Sequence, residues 1–190
     1  MDIEGARKQV LEAAIEAYKK KGLRFTMSDL AAEVKMSKKT IYRLFSDKED
    51  LLMQVADYCF DVIKRAEAEV MESGPEDTVE KLRSLMGAMP EIYQSVDMRR
   101  LYELGERHPR VYARVQERLE NDWESTIALL RRGMEEGSIR PISIPLVKAM
   151  FEATLERFFQ EDLLTEAQLT YQEGLKQVVD ILIDGIKARN

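Results

Sequence analysis

At 190 residues, 45% of them apolar, the chain is long enough to bury a core of one large domain, or of one small and one larger. Charged residues make up 34% while Gly and Pro are sparse, which favours helix throughout, and no apolar run approaches the roughly 18 residues of a membrane span. The start, MDIEGARKQV, has no apolar stretch of signal-peptide type, and a lone Cys59 excludes an internal disulfide framework and suits a reducing cytosol, so a cytoplasmic protein is expected. The net charge of −6 by itself argues against a nucleic-acid partner, but its distribution reverses the argument. Residues 1–48 hold 11 Lys/Arg against 7 Asp/Glu, whereas 49–190 hold 18 against 28. A basic head on an acidic body suits a one-ended DNA binder, because the head attracts phosphate and the body is repelled.

The first helix is expected over residues 5–21, with Val10, Leu11, Ala14, Ile15 and Tyr18 as its inner stripe. Lys19, Lys20 and Lys21 close it, Gly22 stops it, and the lysine run reads as capping and solubility rather than as a DNA contact. Residues 26–52, TMSDLAAEVKMSKKTIYRLFSDKEDLL, then organise the reading. Thr26 and Asp29 form a capping box for a helix whose inner face is Met27, Leu30, Ala31 and Val34. Ser37 caps a second helix that turns Ile41, Leu44 and Phe45 inward. Only a turn fits between the two, and apolar Met36 plugs it, which gives a helix-turn-helix. Lys38, Lys39, Thr40, Tyr42 and Arg43 are left facing outward. Lys and Arg suit phosphate, Arg also suits the paired acceptors of guanine, Thr can touch a thymine methyl, and Tyr can donate to phosphate. This is the face expected in a major groove, with Thr26, Ser28 and Ser37 as further DNA-binding residues.

The segment SKKTIYRLFSDKEDLL resembles the TetR family of bacterial transcriptional regulators, which has a Ser-Lys-x-Thr-(Leu/Ile)-Tyr-x-x-Phe helix followed by a Lys-Glu-x-Leu-(Leu) helix start. Ser37, Lys38, Thr40, Ile41, Tyr42, Phe45, Lys48, Glu49, Leu51 and Leu52 carry the resemblance. It covers about the first quarter of the chain as motif and the rest by length and helical layout. Two positions depart from it: Lys35 stands where the family often has a turn Gly, and Lys39 where it often has Gly in the recognition helix. A Lys in a left-handed turn costs roughly 1 kcal/mol relative to Gly. The resemblance implies Lys48 beside the DNA backbone and a dimer formed by the final two helices.

From Ser46 as N-cap, the fourth helix is expected to run to about Met71 with Leu51, Leu52, Val55, Cys59, Val62 and Ile63 on one side, Cys59 being a buried, inert thiol. After Ser73-Gly74-Pro75 comes a helix with Val79, Leu82, Leu85, Met86 and Met89 inward, kinked or restarted at Pro90 and continued by Ile92, Tyr93 and Val96. A short helix follows from Asp97, with Met98, Leu101, Tyr102 and Leu104. One long helix is expected over 109–136 on Val111, Val115, Leu119, Trp123, Ile127, Leu130 and Met134, and two more over about 145–161 and 165–188.

The expected fold is all-α: an N-terminal three-helix DNA-binding domain with a helix-turn-helix (1–48), then a C-terminal helical bundle for ligand binding and dimerisation (49–190). Phe158, Leu175, Val179, Leu182 and Ile186 are assigned to a two-fold dimer contact, which would set two recognition helices about 34–36 Å apart over a near-palindromic operator. Met86, Met89, Tyr93, Met98, Tyr102, Trp123, Ile127 and Phe151 are candidates to line a pocket for a small apolar or amphipathic ligand. His108 reads as a loop residue at a helix start, without metal-ligand spacing, and no cofactor is expected. With no phosphate loop, no nucleophile elbow and no inward polar cluster, an enzyme is not expected. The reading is a transcriptional repressor released by its ligand; the alternative is a ligand-independent structural or partner-controlled DNA-binding protein of the same fold.

Overall fold

The computed structural model describes residues 2–90, 102–160 and 163–189. By packing, the chain forms two units, residues 1–61 with 95–118, and residues 62–94 with 119–190.

In the first unit, α1 (Ile3–Lys21) starts at Asp2, whose carboxylate accepts the Gly5 N–H at 3.1 Å, and ends at Gly22, with φ +58° and its N–H on the Tyr18 carbonyl. A 3-10 turn (Gly22–Arg24) leads to α2 (Met27–Glu33) and α3 (Lys38–Leu44). The capping box forms as its spacing predicts: Asp29 N–H donates to Thr26 Oγ1 at 3.1 Å, and Thr26 N–H to Asp29 Oδ2 at 2.7 Å. Ser37 caps α3 through the Thr40 N–H, and the turn before it holds Lys35 at φ +54° with Met36 half-buried. Val10, Phe25, Leu30, Ile41, Phe45 and Leu51 are almost wholly enclosed, so α1, α2, α3 and the start of α4 share one small core.

α4 (Lys48–Ser73) is capped by Asp47 rather than Ser46. Asp47 Oδ1 accepts the Asp50 N–H at 2.8 Å, while Ser46 gives its N–H to Asp50 Oδ2. Cys59 is half-buried, not fully enclosed. α6 (Tyr102–Arg107) and α7 (Pro109–Asn121) follow, and α7 begins with Pro at the position where a missing N–H costs nothing. His108 stands before it, and its carbonyl accepts the Val111 and Tyr112 amides. A ladder of ion pairs joins α4 to α7: Glu49 to Arg110 (3.5 Å), Asp57 to Arg114 (2.8 Å) and to Arg118 (3.2 Å), and Asp61 to Arg118 (2.9 Å).

In the second unit, α5 (Thr78–Met86) is capped by Asp77 and buries Val79, Leu82, Leu85 and Met86. It stops at Gly87, so the expected continuation through Met89 to a kink at Pro90 does not form; Met89 is half-buried beyond the helix end. The expected 109–136 helix is likewise two, α7 and α8 (Glu124–Glu136), the latter closed by Gly137 at φ +74°. Trp123 breaks it: its indole N–H takes the Leu119 carbonyl at 2.8 Å, and Lys64 donates to the Asp122 carbonyl. The last stretch divides as well. After α9 (Ile144–Gln160) comes a single turn, α10 (Leu163–Glu166), then Gln168 at φ +56°, then α11 (Tyr171–Ile186), opened by a second capping box between Thr170 and Glu173. α5 packs on α8 and α11, and α9 on α11. Arg83 of α5 reaches Asp180 and Asp184 at 2.6 Å each, and Thr78 donates to Glu136 at 2.6 Å. Among the described residues the sole strand-like pairing is the isolated bridge Ile139–Lys187.

Candidate nucleic-acid interface

The two faces of α3 separate cleanly. Ile41 and the following Phe45 are fully buried and Leu44 half-buried, whereas Lys38, Lys39, Tyr42 and Arg43 are exposed, Tyr42 at 52%. Among the described residues Lys38, Lys39 and Arg43 have no carboxylate partner, in a chain where Arg83, Arg114 and Arg118 each have two or more. Unpaired cations on a short, well-anchored helix keep their full attraction for an outside polyanion. Ser37 and Thr40 share a 2.9 Å hydroxyl contact, and Thr40 is half-buried.

The remaining sequence-predicted residues have other tasks. Thr26 Oγ1 donates to Asp29 Oδ2 at 2.9 Å and accepts from its amide, so its hydroxyl is largely given to the cap; Ser28, two residues on, is exposed. The Thr26 amide, with the Lys21 ammonium at 3.0 Å and the Thr26 hydroxyl, holds the Asp29 carboxyl down at about 2. Lys48 gives its ammonium to the carbonyls of Leu23 and Phe25 and lies 4.5 Å from the Phe25 ring centroid. Burial, and then the charge of Arg107, push its pKa down. It tethers the start of α4 to the segment after α1.

Sequence reasoning missed Arg7. Its guanidinium bonds Gln54 and lies over the Phe45 ring at 5.1 Å, and Gln54 in turn donates to Asp50 at 2.7 Å, the residue that holds Ser46. This chain of contacts fixes the corner at which α3 gives way to α4. The partners are 47 residues apart in sequence, so no local pattern announces them.

Residues 10–55 match the family model described as bacterial regulatory proteins, TetR family. That segment is a DNA-binding domain of the TetR-family type, and the chain is a DNA-binding transcription regulator that resembles that family. A TetR-like course extends over the whole chain in solved structures. A TetR-family regulator from Agrobacterium tumefaciens superposes with a TM-score of 0.72 at 18% identity, covering 98% of this chain and 100% of its own. The regulator FadR from Bacillus subtilis, in complex with stearoyl-CoA, gives 0.71 at 20% identity, covering 94% and 98%. In sequence, the uncharacterized HTH-type transcriptional regulator YvaF of Bacillus subtilis is 28% identical over 181 residues, 95% of each chain.

Within this TetR-type fold the second unit brings some of the expected pocket residues together. Trp123 and Phe151 meet edge to face, with ring centroids 5.7 Å apart. Met86 is buried, and Met89 and Ile127 are half-buried. Tyr93, Met98 and the side chain of Tyr102 lie outside the described residues. Around Trp123 stand charged groups that the sequence reading passed over. Lys64 pairs with Glu67 at 2.8 Å, and Lys148 pairs with Glu152 at 3.5 Å while donating to the Glu120 carbonyl. Burial raises the pKa of both Glu67 and Glu152.

The residues assigned to the dimer contact lie mostly inside the chain. Phe158, Leu175, Val179 and Ile186 are buried within the chain itself, and Leu182 is half-buried. The inner sides of α9 and α11 consume them in packing on each other and on α5. The large apolar side chains left outside on these helices are Leu146 (60% exposed) and Met150 (52%) on α9, and Ile181 (71%) on α11.

Proposed function

We propose that this regulator is a homodimeric repressor that holds a near-palindromic operator and is released by a small apolar or amphipathic ligand. The observation that carries the DNA half is the outward face of α3, where Lys38, Lys39 and Arg43 have no carboxylate partner among the described residues and stand beside an exposed Tyr42. In this reading Arg43 and Lys39 meet base edges and phosphates, Lys38 and Tyr42 meet phosphates, and the hydroxyls of Thr26, Ser28, Ser37 and Thr40 lie along the backbone. Residues 1–48 act as the reading head and 49–190 as the body. Lys48 contributes by holding the head's start of α4 in place, with one N–H left for phosphate.

Two-fold pairing is supported by Leu146, Met150 and Ile181, apolar groups that a monomer leaves in water on the last two long helices. An amphipathic ligand is supported by the Trp123–Phe151 pair beside the Lys64–Glu67 and Lys148–Glu152 pairs, an apolar surface next to polar anchors. The stearoyl-CoA held by the structurally similar FadR makes long-chain acyl-CoA the first compound to try.

The test is selection of genomic and random DNA on purified protein at moderate salt. Enrichment of one near-palindrome that Arg43→Ala abolishes supports the reading. Binding that is purely salt-sensitive and indifferent to sequence sinks it. With the operator in hand, anisotropy with and without stearoyl-CoA tests release; a ligand panel that never shifts operator affinity removes the inducer from the proposal.

A further inference from the structure

The lysine run at the end of α1 does more than close a helix. Lys20, Lys21, Gly22 and Arg24, with Glu103 of α6, line a cavity of about 520 Å³. The side chains of Leu23 and Phe25 are buried, which turns Arg24 between them out to solvent. Lys20 and Arg24 are exposed and have no carboxylate partner among the described residues. Lys21 is the third cation, 3.0 Å from Asp29, whose other oxygen caps Thr26. The basic corner is therefore continuous with the start of α2. It is also held in place, because Lys48 binds the carbonyls of Leu23 and Phe25 on either side of Arg24. Interaction with a helix C-terminus explains a lysine in the last turn. It does not explain three cations around an open cavity whose wall, among the described residues, holds one acid, Glu103.

We propose that Lys20, Lys21 and Arg24 bind phosphates of the DNA backbone outside the bases that α3 reads, so that the footprint of the head is longer than its recognition sequence. This rests on the DNA reading of α3 and adds to it a sequence-independent hold. Its ligand chemistry is the phosphodiester oxygen, and the source assigned is duplex DNA.

The full-length Lys20→Gln/Arg24→Gln double variant tests this against wild type on two duplexes. One is the selected operator with long flanks, the other the same operator trimmed to the enriched bases. Each phosphate contact contributes about 0.9 to the slope of log affinity against log salt, so the variant should lose roughly 2 from the slope on the long duplex. It should match wild type on the trimmed one and enrich the same bases. Equal slopes on the long duplex overturn the proposal. An equal loss on both duplexes overturns the flanking placement. Calorimetry with inorganic phosphate separates the sources: wild-type binding that the variant lacks, with unchanged DNA slopes, makes the corner a free-anion site and overturns the assignment to DNA. Failure of the wild type to bind either duplex defeats the α3 reading itself, a result distinct from an unchanged slope.

Discussion

Trp123 donates its indole N–H to the carbonyl of Leu119, four residues back and 2.8 Å away. That carbonyl is the acceptor an unbroken helix would have offered to the Trp123 amide, which turns instead to Asn121 at 3.0 Å. The side chain has replaced its own backbone, and the chain changes course between α7 and α8. Trp123→Phe keeps a ring against Phe151 but strands the Leu119 carbonyl, and should cost about 1–2 kcal/mol in chemical denaturation followed by circular dichroism. Trp123→Ala should cost about 3–5 kcal/mol. A Phe variant as stable as wild type would show that the indole hydrogen bond does not hold the break.

That break marks the limit of what the sequence declares. The apolar stripe from Val111 to Met134 keeps its three-four spacing straight through Trp123, because periodicity records which side faces inward and not whether the backbone bonds continue. Where a backbone bond is replaced by a nearby side chain, the sequence does show it: Thr26 with Asp29 and Ser37 before α3 are local devices, and both formed. Thr170 with Glu173 was an equally visible signal inside the expected 165–188 helix, and the breadth of the apolar face around it concealed the restart. The outward residues of α3 were legible for the same local reason. The Arg7–Gln54 contact and the tether of Lys48 were not, since each depends on chain that returns from far away. The α4–α7 ladder lies between these cases, for Arg110, Arg114 and Arg118 repeat every four residues and announce a charged stripe without naming its partner.

Lys48→Met separates a tether from a phosphate contact. The change leaves the Leu23 and Phe25 carbonyls without their donor and should destabilise the head by about 1–3 kcal/mol. The salt slope of DNA binding should move by less than one phosphate's share, about 0.9. A normal melting curve combined with a full loss of that share would make Lys48 primarily a DNA ligand.

Asp29 gives the head a defined acid limit. Its carboxyl is held at about 2, below its ordinary 3.8, mainly by the Thr26 amide and the Lys21 ammonium. The fold thus favours the ionised form. The resulting stability is complete above the unfolded value near pH 4 and is lost as the pH falls through about 2. Asp29→Asn should lower the melting temperature at pH 7, with the gap to wild type closing over that acid range. A gap that is independent of pH would assign the effect to amide geometry rather than to charge.

Gly133→Ala probes a close approach in the second unit. A Cβ there would stand 2.5 Å from Ile139 Cδ1, 2.7 Å from Cγ1 and 3.3 Å from Cβ. Ile139 cannot retreat easily, because it is 2% exposed and its amide is bonded to the Gly133 carbonyl at 2.9 Å. The expected cost is about 1–3 kcal/mol. The double variant Gly133→Ala/Ile139→Val should recover part of it; no recovery would place the strain elsewhere.

The head also carries an unused margin. Lys35 holds the turn of the helix-turn-helix at φ +54°, a conformation that suits glycine better than lysine by roughly 1 kcal/mol. Its side chain is exposed and ion-pairs with nothing among the described residues. The reading head is therefore less firm than its own chemistry permits. Lys35→Gly is the natural first change for anyone wanting a sturdier head: it should raise its durability while leaving every side chain on the outward face of α3 as it is.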